Sequence, residues 1–199
     1  MNIDEEKARI RKEISRRRSL LSNSILSVIE KSVPELIGAI DDEDLNKELR
    51  NAGRIALYRS VKGEVPVDGL AKYFMDKGIR CCFPRIVDGN MIFCDCESLS
   101  DEEFEVSSFG IKEPLASKGP VDPKDIDVVV LPAVAYNEEG TRLGMGGGYY
   151  DRFIGAIGKD RPYLLGICYE FQICSDVPGN GNDIAADFIA VIPEEEYAE

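Results

Sequence analysis

A glycine-rich segment with fixed charges on both sides is the part of this 199-residue chain with the clearest chemistry. Arg142 and Arg152 flank four glycines, which are Gly144, Gly146, Gly147 and Gly148. Backbone N–H groups that have no Cβ beside them can approach phosphate oxygens closely, and arginine complements the same oxygens. Asp151 follows at the start of a predicted helix, where its carboxylate could hold Mg²⁺ on bound phosphates. The segment therefore predicts a phosphate-binding loop.

Two common nucleotide-binding fingerprints do not account for this loop. The chain has no G-x-x-x-x-G-K-[ST] segment, and the spacing G-M-G-G-G-Y differs from the dinucleotide pattern G-x-G-x-x-G. A glycine cluster by itself is equally compatible with a structural turn, and this alternative stays open at this point. Anion binding is favoured by the whole arrangement, in which a predicted parallel strand precedes the loop, arginines flank it and a carboxylate follows.

Histidine is absent from the sequence, and its absence limits the chemistry. A Ser-His-Asp triad, a Cys-His dyad, a His-ligated zinc site and an imidazole pH switch are all excluded. The formal net charge is −13, from 24 Lys and Arg against 37 Asp and Glu. Such an acidic chain makes a nucleic-acid partner improbable, because phosphate backbones require a basic surface.

The sequence indicates a cytoplasmic protein without a membrane partner. Charges of both signs occupy the N-terminus, where a secretory signal needs an apolar segment, and no apolar run reaches the length of a membrane span. Six cysteines occur without a C-x-x-C pair, at positions 81, 82, 94, 96, 168 and 174. We interpret them as reduced structural thiols.

Helical and strand patterns alternate along the chain, which is typical of an α/β protein. Apolar spacing predicts a helix from residue 4 to about 30, with a break where Ser22 could cap a second helix. Further helices are predicted at 43–52, 68–77 and 148–157, and strands at 54–60, 79–84, 91–94, 126–131, 163–168 and 187–192. We predict one domain, residues 1–199, with a three-layer α/β/α, Rossmann-like architecture around a mostly parallel central sheet.

The stretch L-P-A-V-A-Y-N-E-E-G-T-R-L-G-M-G-G-G-Y-Y-D-R, from Leu131 to Arg152, resembles a family signature. The signature is V-P-G-x-A-F-D-x-x-G-x-R-L-G-x-G-x-G-Y-Y-D-R, of the 5-formyltetrahydrofolate cyclo-ligase (5,10-methenyltetrahydrofolate synthetase) family. Further landmarks occur in the family's order: Lys7 with Arg11, Glu64, Pro84-Arg85, Gly110-Ile111-Lys112-Glu113-Pro114, and Gln172 with Pro178, Asn182 and Asp183. The similarity therefore extends over nearly the whole chain.

This resemblance implies an ATP- and Mg²⁺-dependent enzyme whose fold is like that of sugar-phosphate isomerases and CoA transferases. Family members convert 5-formyltetrahydrofolate to 5,10-methenyltetrahydrofolate while hydrolysing ATP to ADP and phosphate. The formyl oxygen attacks the γ-phosphate, the N10 amine closes on the activated carbon, and phosphate leaves. Because protein groups mainly position reactants and neutralise charge in phosphoryl transfer, a chain without histidine can perform this chemistry.

The resemblance also assigns the ATP and metal sites. The residues that it implies for ATP are Lys7, Arg11, Arg142, Leu143, Gly144, Met145, Gly146, Gly147, Gly148, Tyr149 and Tyr150. Asp151 and Asp183 would bind Mg²⁺ directly or through water. Without the family match, Lys7 and Arg11 would be interpreted as a solvated helix face, and the two aspartates as a helix cap and a loop carboxylate.

For the folate, the resemblance implies that the Glu64 carboxylate accepts hydrogen bonds from the amino group and ring N–H of the pterin. Phe109 would stack on the pterin, although a place in the core is an equal alternative. Tyr149 would line the folate pocket, together with Met145, Gly146, Gly147 and Gly148. The implied catalytic set is Arg142, Tyr149 and Glu64.

Two positions depart from the family pattern. Met145 stands where relatives often have a basic or aromatic residue, so one cation directed at phosphate is missing and ATP binding could be weaker. Gly147 stands where some relatives have lysine. Two alternatives therefore stay open: a folate- or nucleotide-binding module that has lost turnover, and a different enzyme on the same scaffold. We expect a monomer or a weak homodimer.

Overall fold

The computed structural model describes residues 2–108, 110–178 and 184–196, which contain five α-helices and ten β-strands. The helices are α1 (Ile3–Arg18), α2 (Asn23–Gly38), α3 (Glu43–Asn51), α4 (Asp68–Asp76) and α5 (Tyr149–Ile157). The strands are β1 (Arg54–Ala56), β2 (Arg80–Val87), β3 (Asn90–Cys96), β4 (Phe104–Val106), β5 (Lys112–Pro114), β6 (Val128–Leu131), β7 (Ala135–Tyr136), β8 (Arg142–Leu143), β9 (Tyr163–Tyr169) and β10 (Phe188–Ile192). Short 3₁₀ helices occupy Pro123–Asp125, Gly158–Asp160, Glu170–Gln172 and Glu194–Glu196.

Six strands form the central sheet, in the order β10-β9-β6-β1-β2-β3. The first five are parallel to their neighbours, and β3 returns antiparallel to β2. β6 is buried at all of its positions, as its apolar, β-branched run predicts. The predicted mostly parallel sheet is confirmed. Because parallel strands end at the same edge, the segments that follow β1, β6 and β9 meet there.

Helices cover both faces of the sheet. On one face, Ile29 of α2, Leu45 of α3 and Leu70 of α4 belong to one core with sheet residues. On the other face, Ile154 of α5 packs in a second core that includes Phe93 of β3. Each face is therefore buried by apolar contacts, which is the predicted three-layer architecture.

The N-terminal region forms two helices, as the break predicted at Ser22 indicates. Asn2 caps α1 in a capping box with Glu5, and the Ser22 hydroxyl accepts a hydrogen bond from the backbone N–H of Ile25 at the start of α2. Neither of these helices, nor any other in the part of the chain that the structure describes, is long and apolar enough to cross a membrane.

Helix α2 continues to Gly38, so the predicted end near residue 30 is wrong. Its buried apolar face extends to Ile37, and this packing keeps Pro34 within the helix. Pro34 has no N–H to donate to the carbonyl of Glu30, four residues earlier. Helix α4 packs here through Gly69, where a Cβ would overlap that carbonyl oxygen. The proline and the glycine together allow α2 and α4 to approach closely.

Strand β1 ends at Ala56, so the predicted strand 54–60 is too long. After β1 the chain bends away from the sheet through Gly63, whose φ is 72°. The loop is closed where the Tyr58 hydroxyl donates to the carbonyl of Val65, at 2.8 Å. The N–H of Leu57 still donates to the carbonyl of Cys82 in β2, at 2.9 Å, and beyond it the chain forms this loop, which carries Glu64 over the edge of the sheet.

Two small antiparallel units were not predicted from the sequence. β4 pairs with β5, and β7 pairs with β8. Their strands have only two or three residues, which is too short for an alternating pattern to stand out. The predicted short strand at 91–94 is also longer, because β2 and β3 pair along seven residues in register. The β7–β8 hairpin leads directly into the glycine loop.

Candidate active site

The glycine loop lies between β8 and the N-terminus of α5. Gly148 is the N-cap of α5 with a φ of 62°, and Gly146 has a φ of 105°; side chains rarely adopt either conformation. A glycine N-cap has no side chain to satisfy the first N–H groups of the helix, so these donors remain available to a ligand. The geometry is that of an anion site at a helix N-terminus.

Arg11 joins α1 to the glycine loop. Its Nε donates a hydrogen bond to the carbonyl oxygen of Gly144, at 3.0 Å. Helix α1 is fixed in this place by Ile10 and Ile14, which belong to one apolar cluster with Leu143 of β8. The side chain of Arg11 therefore reaches the loop because an apolar face of the same helix packs beneath it.

Two further basic residues lie on the elements that contact the loop, Lys7 on α1 and Arg152 on α5. Lys7 lies one helical turn before Arg11, so the two side chains share one face of α1. From the opposite side, Nη1 of Arg152 donates to the carbonyl of Gly147 at 2.8 Å, and its guanidinium lies 5.0 Å from the ring centre of Tyr149. The loop is thus held by an arginine on each side.

Arg142 and Asp151 form an ion pair under the loop. Nη2 of the buried arginine lies 2.8 Å from Oδ1 of the aspartate, in the first turn of α5. The same oxygen accepts a hydrogen bond from the backbone N–H of Ile184, at 3.3 Å. The buried Nε of Arg142 has no partner among the described residues. Within the described part of the chain, Arg142 therefore retains a donor, and the hydrogen bonds of Asp151 use Oδ1.

Glu64 is a nearly buried carboxylate in the loop after β1, with its side chain 11% exposed. Oε2 accepts a hydrogen bond from the backbone N–H of Val61 at 3.1 Å, and Oε1 lies 3.8 Å from Nη1 of Arg18. Burial raises the pKa of the Glu64 carboxyl above its usual value, and the positive charge of Arg18 opposes this rise. Burial also raises the pKa of Tyr150, with the charge of Glu64 as a further cause.

Arg18, which was not among the residues predicted from the sequence, lies beside Glu64. Its side chain is 6% exposed, and Nη2 donates to the carbonyl of Ala133, in the segment that follows β6. A signal was present, because Ile10, Ile14 and Arg18 are spaced by four residues and share the buried face of α1. A charged residue on a buried face requires a specific partner, which here is Glu64.

A cavity of about 380 Å³ lies between α5, the start of β3 and the 3₁₀ helix at residues 123–125. It is lined by Asn90, Met91, Asp122, Pro123, Lys124, Tyr149, Arg152, Phe153, Ala156 and Ile157. Tyr149 and Arg152 connect the cavity to the glycine loop, whereas Met145 is 58% exposed on that loop. An apolar wall with basic groups suits an aromatic ligand with an anionic end.

Phe109 and Asp183, two of the predicted site residues, lie outside the described residues, as does the landmark Asn182. Within 2–108, 110–178 and 184–196, no group of three or more His, Cys, Asp or Glu residues could hold a metal ion. Magnesium that is carried on substrate phosphates needs only one or two protein carboxylates. Asp151, at the N-terminal turn of α5, is chemically suited to be one of them.

Nearly the whole sequence is similar to known proteins of one family. Residues 3–192 match the model of the 5-formyltetrahydrofolate cyclo-ligase family. The 5-formyltetrahydrofolate cyclo-ligase of Mycoplasma pneumoniae is 29% identical over 170 residues, which cover 84% of this chain and 87% of the relative. The enzyme of that name from Escherichia coli is 30% identical over 137 residues, covering 67% and 74%.

Two solved structures share the fold. The 5,10-methenyltetrahydrofolate synthetase of Aquifex aeolicus aligns with a TM-score of 0.75 and 28% identity, covering 93% of this chain and 89% of the other. The synthetase from Mycoplasma pneumoniae aligns with a TM-score of 0.70 and 27% identity, covering 92% and 97%. The family resemblance and the fold class inferred from the sequence are both confirmed.

Proposed function

Because the chain belongs to the 5-formyltetrahydrofolate cyclo-ligase family, we propose that it converts 5-formyltetrahydrofolate to 5,10-methenyltetrahydrofolate, with ATP hydrolysed to ADP and phosphate. One observation above all supports this: the bond from Arg11 to Gly144 brings a cation of the N-terminal helix to the glycine loop. A purely structural turn does not require a second basic element from a distant helix.

ATP binding is assigned to this loop and its arginines. Phosphate oxygens would accept hydrogen bonds from the backbone of the loop and from the first turn of α5. The Nε of Arg142, which has no partner in the described part of the chain, would face the same charge, and Lys7 and Arg11 would approach from α1. The proposed ATP-contacting segment is residues 143–150.

Carboxylate oxygens near the loop are suitable ligands for Mg²⁺. Among the described residues, the hydrogen bonds of Asp151 use Oδ1, and a carboxylate offers further lone pairs for a cation. We propose that Asp151 holds Mg²⁺ together with Asp183. The ion, when bound, neutralises part of the charge on the ATP phosphates.

The folate is assigned to the space between Glu64 and the cavity beside α5. The Glu64 carboxylate, which is nearly buried, would accept hydrogen bonds from the pterin, because an ionised carboxylate is an acceptor for two donors. Tyr149 lines the cavity and would contact the aromatic arm of the folate. Phe109 remains a proposed stacking partner of the pterin.

In the proposed reaction, the formyl oxygen bonds to the γ-phosphorus and the bond from that phosphorus to ADP breaks. N10 then bonds to the formyl carbon, phosphate leaves that carbon, and the N10 proton is released. Arg142 would balance charge on the transferred group, while Glu64 and Tyr149 would orient the folate. None of these roles requires an imidazole.

We also propose that the enzyme acts in the cytoplasm as a monomer or weak homodimer on small-molecule substrates, without a nucleic-acid or membrane partner. Support comes from the net charge of −13 and from five buried cysteines that are free thiols. Sedimentation equilibrium across a range of protein concentrations would check the oligomeric state.

The direct test is the growth of methenyltetrahydrofolate absorbance when the protein meets 5-formyltetrahydrofolate. We expect growth that needs both ATP and Mg²⁺ and that is strongly reduced in Arg142→Met. Arg50→Met, on the exposed surface of α3, is the matched control and should retain full activity. A folded wild-type sample that forms no product at saturating ATP would contradict the proposal.

The exposed position of Met145 motivates one other function, a folate-binding module without turnover. Calorimetry separates the two functions. Tight binding of 5-formyltetrahydrofolate with no ATP hydrolysis would favour the binding module, whereas ADP formation matched to product formation supports the cyclo-ligase.

A further inference from the structure

We propose that Arg18 is a positioning residue that holds the Glu64 carboxylate in place for the pterin ring of 5-formyltetrahydrofolate. The inference rests on the proposed function, because that function gives Glu64 its ligand. Nη1 of Arg18 lies 3.8 Å from Oε1 of Glu64, and the two side chains are 6% and 11% exposed. Little solvent therefore separates or screens the two charges.

The guanidinium of Arg18 is fixed from several sides. Its Nη2 donates to the carbonyl of Ala133, which also accepts a hydrogen bond from Nε2 of Gln172 at 2.9 Å. The loop that carries Glu64 packs directly on the end of α1, since a Cβ at Gly63 would lie 2.7 Å from the carbonyl oxygen of Arg18. Arg18 thus links helix α1, the segment after β6 and the loop after β1.

A purely structural role does not account for an arginine here. The carbonyl of Ala133 already has a donor in Gln172, and the buried Nε of Arg18 has no partner among the described residues. Burying such a charge is costly unless an opposite charge offsets it. Glu64 is that charge. Oε1 faces Arg18 at ionic distance while Oε2 is bonded to Val61, so Oε1 keeps lone pairs for a ligand.

The groups around Glu64 determine the pH at which its carboxylate gains a proton. The charged and titratable groups near it are Arg18, Lys62, Tyr58, Tyr150 and Tyr169. Burial raises the pKa of Tyr58 and Tyr150, so both stay neutral in neutral and acidic solution. Burial raises the pKa of Glu64, and Arg18 is the largest opposing cause. Without the charge of Arg18, the carboxylate should gain a proton at higher pH than in the wild type.

The test compares Arg18→Met with Arg18→Lys. In Arg18→Met we expect the KM for 5-formyltetrahydrofolate to rise by about tenfold near neutral pH. This is the effect of losing one hydrogen bond between the pterin and the charged Glu64 carboxylate. The rise should be larger at acidic pH and smaller at alkaline pH, because the carboxylate is needed for binding. The KM for ATP should not change. Arg18→Lys keeps the charge and should retain most of the wild-type pH profile.

Gln172→Met is the matched control, because it removes the other donor to the Ala133 carbonyl and leaves the charge near Glu64 intact. It should lower the melting temperature without shifting the pH profile of the KM. An inactive wild type would contradict the proposed function. If the wild type is active and folded Arg18→Met has an unshifted pH profile of the KM, the role of Arg18 is overturned while the proposed function stands. If Arg18→Met does not fold, folded Arg18→Lys provides the test. A pH profile of its KM for 5-formyltetrahydrofolate that is shifted to higher pH would overturn the role of Arg18.

Discussion

Arg11 and Gly144 are 133 positions apart in the chain, yet Nε of Arg11 donates to the carbonyl oxygen of Gly144 at 3.0 Å. The bond attaches the glycine loop to a helix that is itself fixed by apolar packing of Ile10 and Ile14. A loop that is held in shape before binding loses less conformational freedom when a phosphate arrives. The contact should therefore contribute to ATP affinity.

Arg11→Met should raise the KM for ATP by about tenfold or more, as expected for loss of a charge-assisted hydrogen bond and a cation near phosphate. The KM for 5-formyltetrahydrofolate should change less. Initial rates at varied ATP concentrations measure the effect. Arg16→Met is the control on the same helix, since Arg16 is exposed and pairs with Glu13. Equal effects of the two substitutions would contradict a role for Arg11 in the loop.

Asp151→Ala should lower both stability and turnover. It leaves the buried guanidinium of Arg142 without its partner, which should reduce the free energy of unfolding by about 2 kcal/mol. Urea unfolding measures this loss. Asp151→Asn can keep the hydrogen bond, so it should recover much of the stability, whereas its turnover should stay low at every Mg²⁺ concentration. Full activity of Asp151→Asn would exclude a metal-binding role for this carboxylate.

Gly146→Ala and Gly144→Ala separate backbone strain from contact with phosphate. Gly146 has a φ of 105°, so alanine there should reduce the free energy of unfolding by about 1–3 kcal/mol. A Cβ at Gly144 meets nothing within 4 Å, so the free energy of unfolding of Gly144→Ala should equal that of the wild type. Both alanines should raise the KM for ATP, because each adds a methyl group to the phosphate-binding surface. An unchanged KM in both would argue against phosphate binding at this loop.

Gly69→Ala should destabilise the protein strongly, because its Cβ would overlap the carbonyl oxygen of Glu30. We expect a loss of more than about 2 kcal/mol in the free energy of unfolding, from overpacking of α4 on α2. Gly38→Ala is the matched control, because a Cβ there meets nothing within 4 Å. That substitution should stabilise the protein slightly, by up to about 1 kcal/mol. Thermal melts of both variants measure the difference.

The cysteines should react in a fixed order with a thiol reagent at mildly alkaline pH. Burial raises the pKa of Cys81, Cys96 and Cys168 to about 12, so very little thiolate is present there in the native state. Cys174 is half-buried and should react first. A colorimetric thiol assay should show one rapid phase that is lost in Cys174→Ser, with the remaining thiols reacting only after unfolding. Rapid reaction of all six would contradict this packing.

Local sequence signals predicted the element types but not all of their ends. The β-branched run of β6 and the cap at Ser22 are local features, and both predictions are confirmed. Helix α2 continues past its predicted end because Ile37 gains burial against other elements. Strand β1 stops early because, after a last bond from Leu57 to β2, the chain forms a loop that is closed by the bond from Tyr58 to Val65. Packing and long-range hydrogen bonds depend on residues far apart in the chain, so no short segment of the sequence predicts them.

By itself, the sequence determined the family, the alternating α/β pattern and a chemistry without histidine, and it predicted a phosphate-binding role for the glycine loop. Those properties depend on residue types and on spacing along the chain. Only the tertiary structure decided that Arg18 meets Glu64 and that Arg142 pairs with Asp151 under the loop. Such pairs form between elements that the fold brings together, and their strength depends on burial, which spacing along the chain does not specify.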